Sequence, residues 1–357
     1  MNRINALKHL AFDKNNFDAF LVTNEANQQY LTGMPGTTCL LIPKKGQCTL
    51  YVYNVNYLQA KAEAKDAEVI EIKRGENLAQ KLAPILKTAK TKKMAIDSPP
   101  YEFYRQIAKA TRGKAALKIR NDLLWELRKV KDEKELELMR KAGEITGEAM
   151  KTAYDTIKPG ITEIQAAAEI EYTMRCKGSY GTAFDTIVAS GARSAYSHGG
   201  CSERKIGKGD LIVIDIGATY QSYRSDMTRT ITAGKPTQKQ TKLYEIVKKA
   251  QEKAYQTIKP NVKAKAVDTA ARKVITDAGY GDRFVHGLGH GVGLEVHEMP
   301  GLGPNSKDKL ASGNVVTNEP GIYFLGFGGI RIEDTVLVRK GKAEKFTIGP
   351  YTLDTNC

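Results

Sequence analysis

The heptapeptide Ala153-Tyr-Asp-Thr-Ile-Lys-Pro159 returns later in the chain as Ala254-Tyr-Gln-Thr-Ile-Lys-Pro260, identical at six of seven positions. Each copy closes a helical pattern at a proline, which lacks the amide donor and clashes with the preceding turn. Each copy is also followed by a second helical pattern. After the first, Thr162 and Gln165 form a capping box ahead of Ala166–Met174. Helix, proline stop and helix, twice over, predict an internally duplicated domain.

Working outward, strands are expected at Thr186–Ser190, Leu211–Thr219 and Ser222–Thr232 after the first helix pair. The second pair, Gln238–Ile258 and Ala264–Ala278, is followed by strands at Val315–Phe324 and Ile330–Val338. Upstream, residues 1–121 read as a separate α/β domain. Its strands are expected at Asp18–Thr23, Thr38–Pro43, Gln47–Tyr53, Glu68–Lys73, Lys93–Asp97 and Leu117–Asn121, with a hairpin signal at Lys44-Lys45-Gly46. Helical periodicity marks Asn77–Ala89 and Tyr101–Ala110. The stretch Asp122–Ala149 reads as one long charged amphipathic helix, so that residues 122–133 begin a linker helix and residues 134–357 form the second domain. The fold class is thus α/β (α+β) in two domains, as a length of 357 residues suggests.

Composition excludes several classes. With 41% hydrophobic and 27% charged residues the chain is neither disordered nor of low complexity. No apolar run approaches the ~20 residues of a membrane span, and the start Met1-Asn2-Arg3-Ile4-Asn5 has no apolar secretory core. Five scattered cysteines without a CxxC pair fit free thiols in a reducing compartment, hence a cytoplasmic location. The net charge is +15, of which +11 falls in residues 1–131. These lysines lie on expected helix faces and turns without interleaved aromatics, so a solvated surface is favoured over nucleic-acid binding.

The second domain carries the chemistry. Leu211-Ile-Val-Ile-Asp215-Ile-Gly217 places an aspartate inside an apolar strand, and Asp226 follows in Ser225-Asp226-Met227-Thr228. A turn centred on Tyr220-Gln221 would make Asp215 and Asp226 direct cross-strand partners. Facing carboxylates repel unless a cation lies between them. Glu319, in Asn318-Glu319-Pro320, and Glu333, in Ile332-Glu333-Asp334, would face each other likewise across a turn through Leu325-Gly326-Phe327-Gly328. Between the two acid pairs runs His286-Gly-Leu-Gly-His290-Gly-Val-Gly-Leu-Glu-Val-His297, whose glycines suit close approach of backbone to a ligand or metal. Four carboxylates and one imidazole match a dinuclear site for Mn2+, Fe2+, Co2+ or Zn2+.

In these motifs the chain resembles the pita-bread metallopeptidases: methionine aminopeptidases, Xaa-Pro aminopeptidases and Xaa-Pro dipeptidases (prolidases). The resemblance implies a pseudo-symmetric catalytic domain behind a creatinase/prolidase-type amino-terminal domain, which tilts the expected substrate toward peptides with proline second. It implies a homodimer and two divalent ions, Mn2+ or Co2+ ahead of Fe2+ or Zn2+. The implied ligands are Asp215, Asp226, His290, Glu319 and Glu333, with Asp226 and Glu333 bridging the two metals. Glu319 would also shuttle the proton, and His198 and His297 would hydrogen-bond the scissile carbonyl and the tetrahedral intermediate. His286 would lie near the pocket. Arg331 would contact substrate or the ligands, or else simply pair with Glu333 or Asp334. Two departures stand out. Gly301 occupies a place where prolidase-like sequences commonly carry an arginine for the substrate's terminal carboxylate, which favours an aminopeptidase. Asn318 replaces an apolar residue before Glu319. The competing readings are a methionine aminopeptidase, a metal-free creatinase-like hydrolase, and a non-catalytic scaffold that binds nucleic acid or protein.

Overall fold

A computed structural model of the chain describes residues 2–79, 81–82, 91–113 and 115–354. Most of the helix expected at Asn77–Ala89 lies outside them. The chain divides into two units, Met1–Arg128 and Lys129–Cys357.

The first unit is built on a mixed six-stranded sheet. In spatial order its strands are Glu68–Ile72, Thr49–Tyr53, Cys39–Pro43, Ala19–Val22, Lys93–Ile96 and Ala116–Ile119. The hairpin at Lys44-Lys45-Gly46 joins two antiparallel strands paired Cys39↔Tyr51 and Leu41↔Thr49, and Gly46 takes the φ of +98° that the turn needs. Leu21, Leu41, Ile72, Met94 and Ile96 pack one face of this sheet into a core. Helices at Glu25–Thr32 and Asn54–Glu63 lack strong apolar periodicity and were not anticipated.

The helix expected over Asp122–Ala149 is two helices, Asp122–Arg128 and Glu133–Thr156. Asp132 starts the second one: its side chain accepts from the Glu135 amide while Glu135 reaches back to the Asp132 amide. That reciprocal cap satisfies two orphan donors at a new helix start, so the charged periodic pattern conceals a break.

In the second unit, both copies of the repeat end long helices, Glu133–Thr156 and Gln238–Thr257. Each is followed by a shorter one, Glu163–Cys176 and Ala264–Asp277. The repeat's alanine and isoleucine are buried in both copies (Ala153, Ile157, Ala254, Ile258). They anchor two separate cores. The first helix pair packs on Val188, Ile212, Ile214 and Ile231, and the second on Val316, Ile322, Ile330 and Val336. Strands Ile187–Ser190, Leu211–Ile216 and Met227–Thr232 form one antiparallel sheet. A five-stranded sheet pairs Glu298–Leu302, Gly289–Gly291, Val315–Asn318, Asp334–Leu337 and Glu344–Lys345 in that order.

The expected long strands are interrupted at the acids. Leu211–Ile216 gives way to Ala218–Tyr220 at Gly217, where a Cβ would lie 2.1 Å from the Ser225 carbonyl oxygen. Val315–Asn318 gives way to Gly321–Phe324 at Glu319-Pro320, where proline cannot donate to the ladder. Register survives both breaks. Asn318↔Asp334 and Gly321↔Arg331 belong to one hairpin alignment, which sets Glu319 opposite Glu333. The first hairpin differs from expectation. Its turn centres on Gln221 and Ser222, both at positive φ (44° and 71°), and Asp215 faces Thr228 rather than Asp226. Asp226 is therefore a diagonal neighbour, on the Thr228 face by strand alternation.

Candidate metal centre

Asp215, Asp226, His290, Glu319, Glu333, His198, His286, His297 and Arg331 all line one cavity of about 510 Å³. Within it, single ligand atoms of Asp226, His290 and Glu333 lie within 4.8 Å of one another. His290 Nε2 is 3.3 Å from Glu319 Oε1 and 3.7 Å from Asp226 Oδ2. The His297 ring stacks edge-on against His290, centroids 4.4 Å apart.

Glycines make this proximity possible. A Cβ at Gly289 would lie 2.4 Å from the Thr317 carbonyl oxygen, and one at Gly291 would lie 2.4 Å from that of Met299. Only a bare backbone can slide His290 between those two strands.

The hydrogen bonds orient the ligand atoms. His290 Nδ1 lies 3.0 Å from the Gly291 carbonyl. A carbonyl only accepts, so Nδ1 carries a proton and Nε2 faces the acids: protonated, Nε2 donates to Glu319, and deprotonated, it offers the lone pair typical of a metal-ligating histidine. His286 follows the same logic: Nδ1 donates to the Gly287 carbonyl at 2.7 Å, and Nε2 accepts from the Tyr323 hydroxyl at 3.0 Å. Tyr323 in turn accepts from Arg331 Nη1. Arg331 Nη2 donates to Asp215 Oδ2 at 2.5 Å, so the alternative pairing with Glu333 or Asp334 does not form; Asp334 pairs with Arg229 instead.

Buttressing threonines were not anticipated. Thr228 donates to Glu333 Oε2 at 2.5 Å. Thr317 accepts from the His290 amide and donates to Glu319 Oε1. Thr335 donates to the Asp226 carbonyl oxygen. The legible signal was Thr228, Thr230 and Thr232 alternating in one strand: a buried hydroxyl every second residue needs partners on one face. Asn318 is fully buried and donates to the Gln251 carbonyl at 2.9 Å, while its Oδ1 finds no protein partner. It therefore serves the helix behind the strand, away from the cavity.

Electrostatics sort the acids. Burial, then the neighbouring carboxylates, with Glu333 foremost for Asp226 and Glu319 for Glu333, push Asp226 and Glu333 well above the usual carboxylate range. Burial also acts on Glu319, but the hydrogen bond and charge of His290 outweigh it and hold Glu319 at about 2. His290 is burdened by burial yet raised by Glu319. Burial, helped by His290, lowers His297. Asp215 Oδ1 is buried with no protein partner. Clustered carboxylates, one of them with an unpartnered buried oxygen, beside an imidazole lone pair fit divalent cations: positive charge inverts the repulsion and fills the vacant acceptor positions.

The comparisons with known proteins give the family. Residues 137–340 match the model of metallopeptidase family M24, and residues 3–130 match the creatinase/prolidase N-terminal domain. The chain belongs to metallopeptidase family M24. A Xaa-Pro dipeptidase of Pyrococcus horikoshii is 42% identical over 337 residues, 94% of each chain. The solved prolidase of Pyrococcus furiosus is 38% identical and superposes with a TM-score of 0.89 over 96% of this chain and 99% of its own. An X-Pro aminopeptidase structure from Thermotoga maritima, also 38% identical, gives 0.85 over the same shares. The M24 chain thus has the pita-bread fold, preceded in sequence by a creatinase/prolidase-type domain, and it is a metal-dependent exopeptidase.

Proposed function

We propose that this M24 enzyme hydrolyses the bond between a first residue and proline at the amino terminus of peptides, using two divalent ions held by Asp215, Asp226, His290, Glu319 and Glu333. The observation that carries the reading is the convergence of Asp226, His290 and Glu333 within 4.8 Å, with Asp215 and Glu319 in the same cavity. The donor set suits Mn2+ or Co2+, and would also accept Fe2+ or Zn2+. Bound there, the ions supply a nucleophile from water at neutral pH and draw charge from the scissile carbonyl.

The chain's own groups do the rest. Glu319, in the same cavity, takes a proton from the attacking water and passes it to the leaving imino nitrogen. His297, kept neutral by burial, donates a hydrogen bond rather than a proton, and with His198 it steadies the negative charge developing on the carbonyl oxygen. Arg331 holds Asp215, and Tyr323 links Arg331 to His286. The homodimer extends the same reading and rests on the resemblance, and the cytoplasmic location rests on the scattered free cysteines; nucleic acid and membrane are not partners in it.

Peptides longer than two residues are also accepted in this reading. A Cβ at Gly301 would meet nothing within 4 Å, and the position supplies no charge for a free carboxylate. The names of the similar proteins include both a dipeptidase and an aminopeptidase. Hydrolysis of Met-Pro and Met-Pro-Ala under Mn2+ and Co2+ tests both statements. Cleavage of neither peptide would contradict the substrate class, and cleavage of the dipeptide alone would contradict the length reading.

A further inference from the structure

His198 stands on a segment that should be loose. Gly199 and Gly200 follow it, Gly200 at a φ of +58°, and the residue is exposed to the cavity. Glycines lose more conformational freedom on ordering than other residues, and an exposed ring has little packing to fix it. Yet the backbone is gripped on both sides. Arg331 Nη1 donates to the Ser197 carbonyl at 3.2 Å. Arg193 Nη2 donates to the Gly199 carbonyl at 2.6 Å and reaches that of Gly200 at 3.4 Å. Arg331 belongs to the site already described, whereas Arg193 does not line the cavity.

Arg193 is anchored in turn by Glu163, Nε to Oε2 at 3.2 Å. Glu163 is fully buried and opens the helix Glu163–Cys176, whose N-terminus favours an anion. Its oxygens also accept from the Ser190 amide and hydroxyl, each at 2.7 Å, and from the Ser202 hydroxyl at 2.5 Å. Such a carboxylate is a fixed point, because every movement would break a buried hydrogen bond. A simple stabilising pair would have no need to direct its arginine onto the carbonyl next to a histidine.

We propose that Glu163 and Arg193 are positioning residues: together they form a clamp that holds the His198 segment in its working place. The clamp rests on the reading of His198 as a substrate-facing group. It acts through Arg331 on the Ser197–His198 peptide unit and Arg193 on the Gly199–Gly200 unit, so His198 is fixed by its backbone from both sides while its ring stays free to meet substrate.

A double-mutant cycle tests it, using the Mn2+-loaded enzyme and Met-Pro or Met-Pro-Ala, whichever is cleaved faster. Arg193→Ala is expected to lower kcat by about 10-fold with KM little changed, the scale of a misplaced hydrogen-bond donor. In a His198→Ala background the same change is expected to cost nothing further. Arg193→Lys should recover part of the loss. Amide exchange in the metal-free protein should accelerate at Ser197–Gly200 and not in the strand Leu211–Ile216. Equal losses in both backgrounds, or an unchanged rate in Arg193→Ala, would overturn the clamp. Full activity in His198→Ala would instead overturn the reading of His198 on which the clamp depends. Should Arg193→Ala fail to fold, Arg193→Lys and Glu163→Gln carry the same comparison.

Discussion

The two acid-bearing hairpins of the catalytic unit meet one problem, burying paired carboxylates, by different means. In the first, Arg331 reaches across from the second hairpin to pair with Asp215, while Asp226 sits diagonally and is pushed well up by burial and by Glu333. In the second, Glu319 and Glu333 align across the hairpin; His290 holds Glu319 at about 2, and Glu333 is pushed well up. Each hairpin thus has one acid in close contact with a basic side chain, Asp215 with Arg331 and Glu319 with His290, and one that burial and neighbouring carboxylates push up. The two raised acids, Asp226 and Glu333, are those that the family resemblance makes shared ligands, which would put positive charge beside each of them. In the proposed reading, divalent ions would offset the charge that burial and neighbouring carboxylates make costly at Asp226 and Glu333.

The largest expected effect breaks that division directly. Asp226→Asn or Glu333→Gln should lower kcat/KM by about 10³-fold or more and reduce bound metal, since each change removes a shared ligand. Near-normal activity with full metal content would remove both residues from the bridging role. Next in size, His297→Ala should lower kcat by about 10²-fold with metal content unchanged, the scale of a lost transition-state hydrogen bond. Loss of metal in that variant would make His297 a ligand.

The same comparison shows how far sequence reasoning reaches. The alignment of Glu319 with Glu333 was legible because Gly326 and Gly328 mark a single turn, and Gly326 does take a left-handed φ of +78°. The Asp215–Asp226 register was not, because its turn uses Gln221 and Ser222 at positive φ, residues that carry no such mark. Shifting a turn by one residue moved Asp226 from a direct to a diagonal partner. The break before Glu133 had its signal in Asp132 and Glu135, hidden within a continuous charged pattern. The Arg331–Asp215 pair joins positions 116 residues apart, and no local pattern encodes such a contact. The duplicated helix pairs, the four acids and the glycine-flanked His290 are legible because their signals are local: a repeat, glycine spacing and acids in apolar strands; the roles of His198, His286, His297 and Arg331 rest on the family resemblance.

A stability measurement sharpens the division further. Asp226 and Glu333 have folded-state pKa values raised above the unfolded ones, so the folded metal-free protein binds more protons than the unfolded chain once pH passes the ordinary carboxylate range. Their contribution therefore falls as pH rises above about 4. The metal-free Tm should drop in that direction, Asp226→Asn should blunt the drop, and Mn2+ should reverse it by binding the folded state alone. A pH-independent difference between the wild type and Asp226→Asn would contradict the assignment of strain to that acid.

The smallest expected effect concerns substrate length. Met-Pro-Ala should show a several-fold higher kcat/KM than Met-Pro, and Gly301→Arg, which has open space before it, should lower KM for the dipeptide. A dipeptide preference untouched by that substitution would place the carboxylate clamp elsewhere.

The most direct test of the central claim is metal stoichiometry measured together with activity. Metal-free protein is titrated with Mn2+ while bound ions per chain and Met-Pro or Met-Pro-Ala hydrolysis are followed. The account predicts two ions per chain, full activity only when both are bound, and loss of both ions in Asp226→Asn. Full activity without metal, or two ions retained by Asp226→Asn, would contradict it.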